Sequence, residues 1–292
     1  MAWDTASDAV LAEGRRVLIG DPARFEGVKV VGVEEHVWRH TRKGEKYVTV
    51  IIDLTPIRDD TGPARLLDLV EGRSKAAFKT WLAERPQAWR DAVEVVAMDG
   101  FPPAAPLTRS FAAGGAPTGF KTAAAEEFPS AVAVMDHFHV VRLAGDALDS
   151  CRRRVQQDLH GHRGLKNDPL YRGRRTLHTG EDLLTDRQRE RLIVLFTNPD
   201  HVEVEATWGI LQRMIAAYRH PDRATARAAM TAVIDALRDG VPAALVELRR
   251  LGRTLNQRAA DVLAYFERPG TSNGPTEALN GRLEHLRGSA LG

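Results

Sequence analysis

Hydrophobic runs of strand length crowd into the first 141 positions of this 292-residue chain and then stop. That division constrains the fold more than any other feature. Val28 to Val33 is a β-branched run, and a charged turn at 41–46 leads into a second, Tyr47 to Leu54. Gly62-Pro63 breaks the chain before a third, Ala64 to Val70. Short polar turns between three strands predict an antiparallel meander. Ser74 to Trp89 changes period: Ala76, Phe78, Trp81 and Leu82 make a helical stripe, with Ser74 as its cap. Val93 to Met98 reads as an apolar run interrupted only by Glu94, as expected of a strand covered on both faces. Phe120 to Phe128 reads as a short helix, and Ala131 to Met135 as another buried strand, ending at Asp136.

A leading helix at 2–17 precedes these elements, and the order is then β-β-β-α-β-α-β. It is the order of a ribonuclease H-like mixed sheet. From about Val140 to Glu267 the pattern is helical. Thr185 and Gln188 form a capping box for a helix to Phe196, which Asn198-Pro199 ends. Val202–Arg219, Asp222–Asp239, Pro242–Leu251 and Leu255–Phe266 follow as amphipathic helices. The tail TSNGPTEALNGRLEH, 271–285, opens one last helix, capped by Ser272 or Asn273 with Pro275 in its first turn. The expected fold is α/β: a leader at 1–24, a ribonuclease H-like core at 25–141, an all-α insertion at 142–269 and a final core helix at 270–292. Pro102 to Pro117, rich in Pro, Ala and Gly, reads as a long mobile surface loop.

Composition narrows the class. With 43% hydrophobic and 27% charged residues the chain is an ordinary globular one. MAWDTASDAV carries two acids and no apolar core, so it is no signal peptide, and no stretch is apolar enough to span a bilayer. The single Cys151 suits a reducing cytoplasm. A net charge of +2 does not by itself imply a polyanion partner.

Acids stand where chemistry would use them. KVVGVEE reaches Glu34 and Glu35, VEVVAMDG reaches Asp99, and Glu277 occupies the first turn of the tail helix. Two acids at strand ends and a third on a late helix are the layout of a two-metal phosphoryl-transfer site, because hard divalent cations prefer carboxylate oxygens. Glu35, next to Glu34 on the strand, points to the other face.

The motifs VGVEEHVWRHT, VTVIIDLTP, GRSKAAFKTWL, VVAMDGF, TGFKTAAAEEFPSAVAVMDHFHVVR, EATWGILQRMIAAYR and RPGTSNGPTEALNGRLEHLRGSALG resemble transposases of the ISL-three insertion-sequence family, of the DDE class. The resemblance implies a ribonuclease H-like core and magnesium-dependent strand cleavage and transfer at the double-stranded ends of an element, with manganese as a substitute metal. It implies Glu34, Asp99 and Glu277 as catalytic and metal-holding acids, with Asp136 near them but outside the triad. The chain departs from the pattern. The family's GVDE reads GVEE here, and Pro102–Pro117 interrupts the run from MDGF into TGFKT. The family's zinc-binding and helix-turn-helix region precedes the point where this chain begins, and a helical stretch follows GSALG in relatives. The expectation is a truncated, impaired transposase. A non-catalytic DNA-binding or dimerising remnant and a ribonuclease H-like nuclease are the alternatives.

A second constellation is basic. Arg152, Arg153, Arg154, Arg163, Lys166, Arg172, Arg174 and Arg175 crowd between Ser150 and His178, with Tyr171 among them. Such clusters bind phosphate backbones without reading sequence, so DNA contact is expected here, with a homo-oligomer as a further possibility. Histidines 36, 40, 137 and 139 have no cysteine partners and read as structural, and Trp81, Trp89 and Trp208 read as helix core. A lesser reading sets Glu205 and Trp208 against a flipped base.

Overall fold

A computed structural model describes residues 3–38, 46–98, 119–162 and 164–290. Its strands are β1 (Val30–Val37), β2 (Tyr47–Asp53), β3 (Arg65–Glu71), β4 (Val95–Met98) and β5 (Val132–Met135), in one sheet ordered β3-β2-β1-β4-β5. β1 pairs antiparallel with β2, and β2 with β3. β1 pairs parallel with β4, and β4 with β5. This is the mixed α/β architecture expected of a ribonuclease H-like core.

The helices are α1 (Trp3–Gly14), α2 (Thr55–Arg58), α3 (Lys75–Ala83), α4 (Gln87–Ala92), α5 (Gly119–Glu127), α6 (His137–His160), α7 (Pro169–Gly173), α8 (Asp186–Phe196), α9 (Val202–Arg219), α10 (Arg223–Asp239), α11 (Val246–Gln257), α12 (Ala259–Glu267) and α13 (Gly274–Ala290). None of the described helices is long and apolar enough to cross a membrane. Local chemistry sets several boundaries. Ser74 Oγ accepts from the Ala77 N–H at 3.0 Å, and the Thr185–Gln188 box opens α8. The helix expected over Ser74–Trp89 is two, α3 and α4, because Pro86 between them lacks an N–H and cannot continue the first. Pro102–Pro117 and the turn at 41–45 lie outside the described residues.

The chain divides into two compact units, one of residues 1–136 with 269–292 and one of residues 137–268. In the first, one face of the sheet brings Val31, Val33, Val96 and Met98 against Phe78, Trp81, Leu82 and Phe120. Burying a side chain of that size contributes about 1.5–3 kcal/mol. The opposite face carries Gly32, where an added Cβ would stand 2.8 Å from Ile52 Cγ1 and 2.9 Å from Asn273 Oδ1. Only a glycine lets the segment leading into α13 come so close to β1. In the second unit α6 packs on α9 and α11, and α10 on α9, α11 and α12. Gly252 of α11 meets the backbone of Leu237 in α10, where a Cβ would overlap the carbonyl oxygen.

Candidate active site

β1 does not stop at its acids. It runs on to Val37 because β2 pairs with it as far as Val37↔Tyr47. Over the described residues the parallel β1–β4 ladder runs to Val33↔Met98, and the β4–β5 ladder to Met98↔Met135. Val33, Met98 and Met135 are thus level across three adjacent strands, and in the sequence an acid follows each: Glu34, Asp99 and Asp136. Asp99 itself lies outside the described residues.

Alternation along β1 sends Glu34 and Glu35 to opposite faces. Glu35 pairs with Arg73 at 3.5 Å. Glu34 accepts a hydrogen bond from the Asn280 amide at 2.8 Å, so it lies on the face that α13 covers. Further along, His36 Nε2 stands 3.3 Å from Glu284. Asn273, Asn280 and Glu284 therefore follow β1 in step with Gly32, Glu34 and His36, and α13 runs alongside the strand in the same direction.

Asp136, 1% exposed, ties down the start of that helix. Its Oδ1 accepts from the Ser272 hydroxyl at 3.0 Å and the Asn273 N–H at 2.8 Å. The Ser272 oxygen accepts in turn from the Gly274 N–H at 3.1 Å. Asn273 donates to the Val33 carbonyl at 3.5 Å and accepts from Thr276. The inward face of α13 is accordingly polar: Thr276 and Asn280 are buried, while Leu279 and Leu283 are half-buried. Glu277 is exposed in the first turn. It precedes Asn280 by three residues, a spacing that makes them neighbours on the helix surface.

Sequence reasoning named Glu34 and Glu277 but missed Asn280 and gave Asn273 only a capping role. Their signal was the spacing 273, 276, 280, which repeats at one helical face. Asp53, the acid of VTVIIDLTP, is fully buried; it binds Arg65 at 2.6 Å and accepts from the Thr55 N–H at 2.8 Å, a structural assignment. Among the described residues no group of three His, Cys, Asp or Glu side chains is gathered closely enough to hold a metal ion. The donor chemistry of Glu34 and Glu277 nevertheless suits a hard cation, since both offer carboxylate oxygens.

The basic cluster divides. Arg152 is buried, bound to Asp149 at 3.1 Å and to Gln156 at 2.6 Å. Arg154 bridges Glu203 and Glu247, and those two carboxylates raise its pKa. Arg153, Lys166, Arg172 and Arg175 are exposed, Arg174 is half-buried over the Tyr171 ring, and Arg163 lies outside the described residues. Cys151 is buried, and burial pushes its thiol up to about 11.

The sequence profile of a family described as Transposase, of the DDE and ISL-three type, matches residues 31–113 and 116–292. No curated protein and no solved structure gives a match. The profile runs through both strands that precede the acids and through the whole of α13, so the chain belongs to the ISL-three family of DDE transposases and is a DNA transposase.

Proposed function

We propose that the chain performs metal-dependent cleavage and transfer of DNA strands at element ends in the cytoplasm, with Glu34, Asp99 and Glu277 as the acids that hold magnesium, or manganese in its place. The observation that carries this reading is the common level of Val33 and Met98, which puts the residues just before Glu34 and Asp99 side by side. Bound magnesium would activate the attacking oxygen and stabilise the leaving one. The protein's own groups prepare the site. The Asn280 amide orients Glu34, and Asp136 fixes the turn from which Glu277 projects. Arg153, Arg163, Lys166, Arg172, Arg174 and Arg175 bind phosphates without reading sequence, while Arg152 and Arg154 hold their neighbours in place.

Glu34 also carries the reason for a slow reaction. It has one more methylene than the family's Asp, about 1.5 Å of extra reach. Magnesium demands near-octahedral geometry and tolerates such a shift badly. The test is magnesium- or manganese-dependent nicking of a duplex bearing an element end. Glu34→Asp should raise the rate at least about tenfold, or 1.4 kcal/mol. Asp99→Ala should abolish it. Nicking that survives Asp99→Ala rules out this acid set, whereas fast nicking by the unaltered chain removes only the impairment.

A further inference from the structure

Two helical segments of the second unit face each other across a cleft. Asp149, Arg152 and Arg153 of α6 line one side, and Tyr171, Arg174, Arg175 and His178, in and after α7, line the other. Asp149, Arg152 and Arg153 share one face of α6, while Tyr171 lies in α7, Arg174 and Arg175 in the turn after it and His178 at the end of the short 3-10 stretch 176–178. The cavity measures about 680 Å³, well within the roughly 300–1,000 Å³ typical of small-ligand sites. Four arginines oppose one carboxylate. Asp149 acts as the organiser: it binds Arg152 at 3.1 Å, Arg153 at 2.9 Å and His178 at 3.5 Å. Gly145 lets the His178 ring approach, because a Cβ there would stand 3.2 Å from the ring. Arg174 lies flat over Tyr171 at 4.1 Å and donates to its carbonyl at 2.8 Å. Arg175 is exposed and has no acidic partner among the described residues.

We propose that this cleft binds an unpaired nucleotide of a DNA strand, gripping its phosphate between Arg153 on one side and Arg174 and Arg175 on the other. The inference rests on the reading of the chain as a DNA-processing protein. Guanidinium forks suit phosphate oxygens because they bind them bidentately. A lone phosphate ion would leave most of the cavity empty. A duplex presents its phosphates on a convex cylinder and would meet the exposed cations at the rim of the cleft and outside it, Arg153, Arg175, Lys166 and Arg172, without filling the cleft. Positive clefts with an aromatic ring are instead characteristic of single-strand binding.

The test compares affinities of the full chain for a blunt duplex and for the same duplex with a short single-stranded overhang, by fluorescence anisotropy. The overhang should bind at least about tenfold more tightly. Arg174→Ala/Arg175→Ala should weaken both complexes through lost phosphate contacts, and the overhang complex by at least about tenfold more, so that the preference is erased. Arg175→Ala alone, at an exposed position, should reduce it with an unchanged circular dichroism spectrum. Deoxyadenosine monophosphate should compete for the preference better than inorganic phosphate. Equal affinity for the two duplexes, a preference intact in the double variant, or equal competition by phosphate would each overturn the proposal. Metal-dependent nicking, assayed separately with Asp99→Ala, keeps the two readings apart: its absence alongside an overhang preference sinks the chemistry and spares the cleft, and the reverse result does the opposite.

Discussion

The carboxylates of the candidate site and those of the helical second unit are used in opposite ways. In the first, Glu34 accepts from an asparagine amide and Asp136 from a hydroxyl and a backbone N–H. Donors of that kind orient a carboxylate. In the second, Asp149, Glu203, Glu247 and Asp261 all meet arginines. Those pairs are internally neutralised and stiffen a helical body. The difference separates acids that can serve a cation from acids that serve packing, a distinction invisible to any count of charges.

The sharpest way to break that comparison is by rate. Glu277→Gln should slow metal-dependent nicking at least about a hundredfold, equivalent to about 2.7 kcal/mol of barrier. Glu247→Gln, which removes charge from an arginine pair in the second unit, should change the rate of the folded protein by less than about threefold. Equal losses in a nicking assay would show that the two sets of acids are not functionally distinct.

Packing offers the next largest effect. At Gly252 an added Cβ would overlap the Leu237 carbonyl oxygen, which cannot swing aside as a side chain can. Gly252→Ala should cost about 3 kcal/mol, at the upper end for overpacking. Gly32→Ala meets side-chain atoms at 2.8–3.0 Å, which can yield, and should cost about 1–2 kcal/mol. Urea denaturation measures both, and a larger loss at Gly32 would reverse the ranking of rigid against yielding contacts. The same residue gives a second reading, because Gly32→Ala pushes on Asn273 and should lower nicking more than its stability cost explains.

Hydrogen-bond deletions sharpen the contrast further. Asn280→Ala removes one donor to Glu34 and should cost about 1 kcal/mol of stability but a larger share of the cleavage rate. Glu247→Ala leaves Arg154 with Glu203 and should cost about 1–2 kcal/mol with little further loss of rate in the folded fraction. Melting curves alongside nicking rates separate the two patterns, and parallel losses would contradict it.

How much of this was legible in the sequence follows from which forces write themselves locally. The strands were legible because Val-rich runs such as VVAM are buried on both sides and so carry no polar interruption. The capping box of α8 was legible because both partners lie within four residues. As one continuous helix α6 was not, because its buried face includes Arg152 and Gln156, polar residues that blur an apolar stripe. The inward face of α13 was hidden for the same reason: Thr276 and Asn280 are buried by hydrogen bonding, while the more conspicuous leucines stay half-buried. The sequence also could not show that β1 runs past its acids to Val37, since a strand's end depends on its partner. Nor could it divide the arginines, because Glu203 and Glu247 lie far along the chain from Arg154.

The effect confined to the narrowest range of conditions lies in the pH dependence of the second unit. Asp149 is held down to about 2 from an ordinary value of 3.8, first by its hydrogen bond with His178 and then by Arg152 and Arg153. A carboxyl whose folded pKa lies below its unfolded one stabilises the fold when ionised. That contribution is complete above the unfolded value near 3.8 and disappears as the pH falls through about 2. With a quarter of the side chain exposed to water, it amounts to on the order of 1–2 kcal/mol. Asp149→Asn should therefore lower stability at pH 5 by about that much and narrow the gap to the unaltered chain as the pH approaches 2. Denaturant midpoints at several acidic pH values measure the gap. A difference that stayed constant across that window would mean that shape at position 149, rather than charge, holds the arginines and His178 in place.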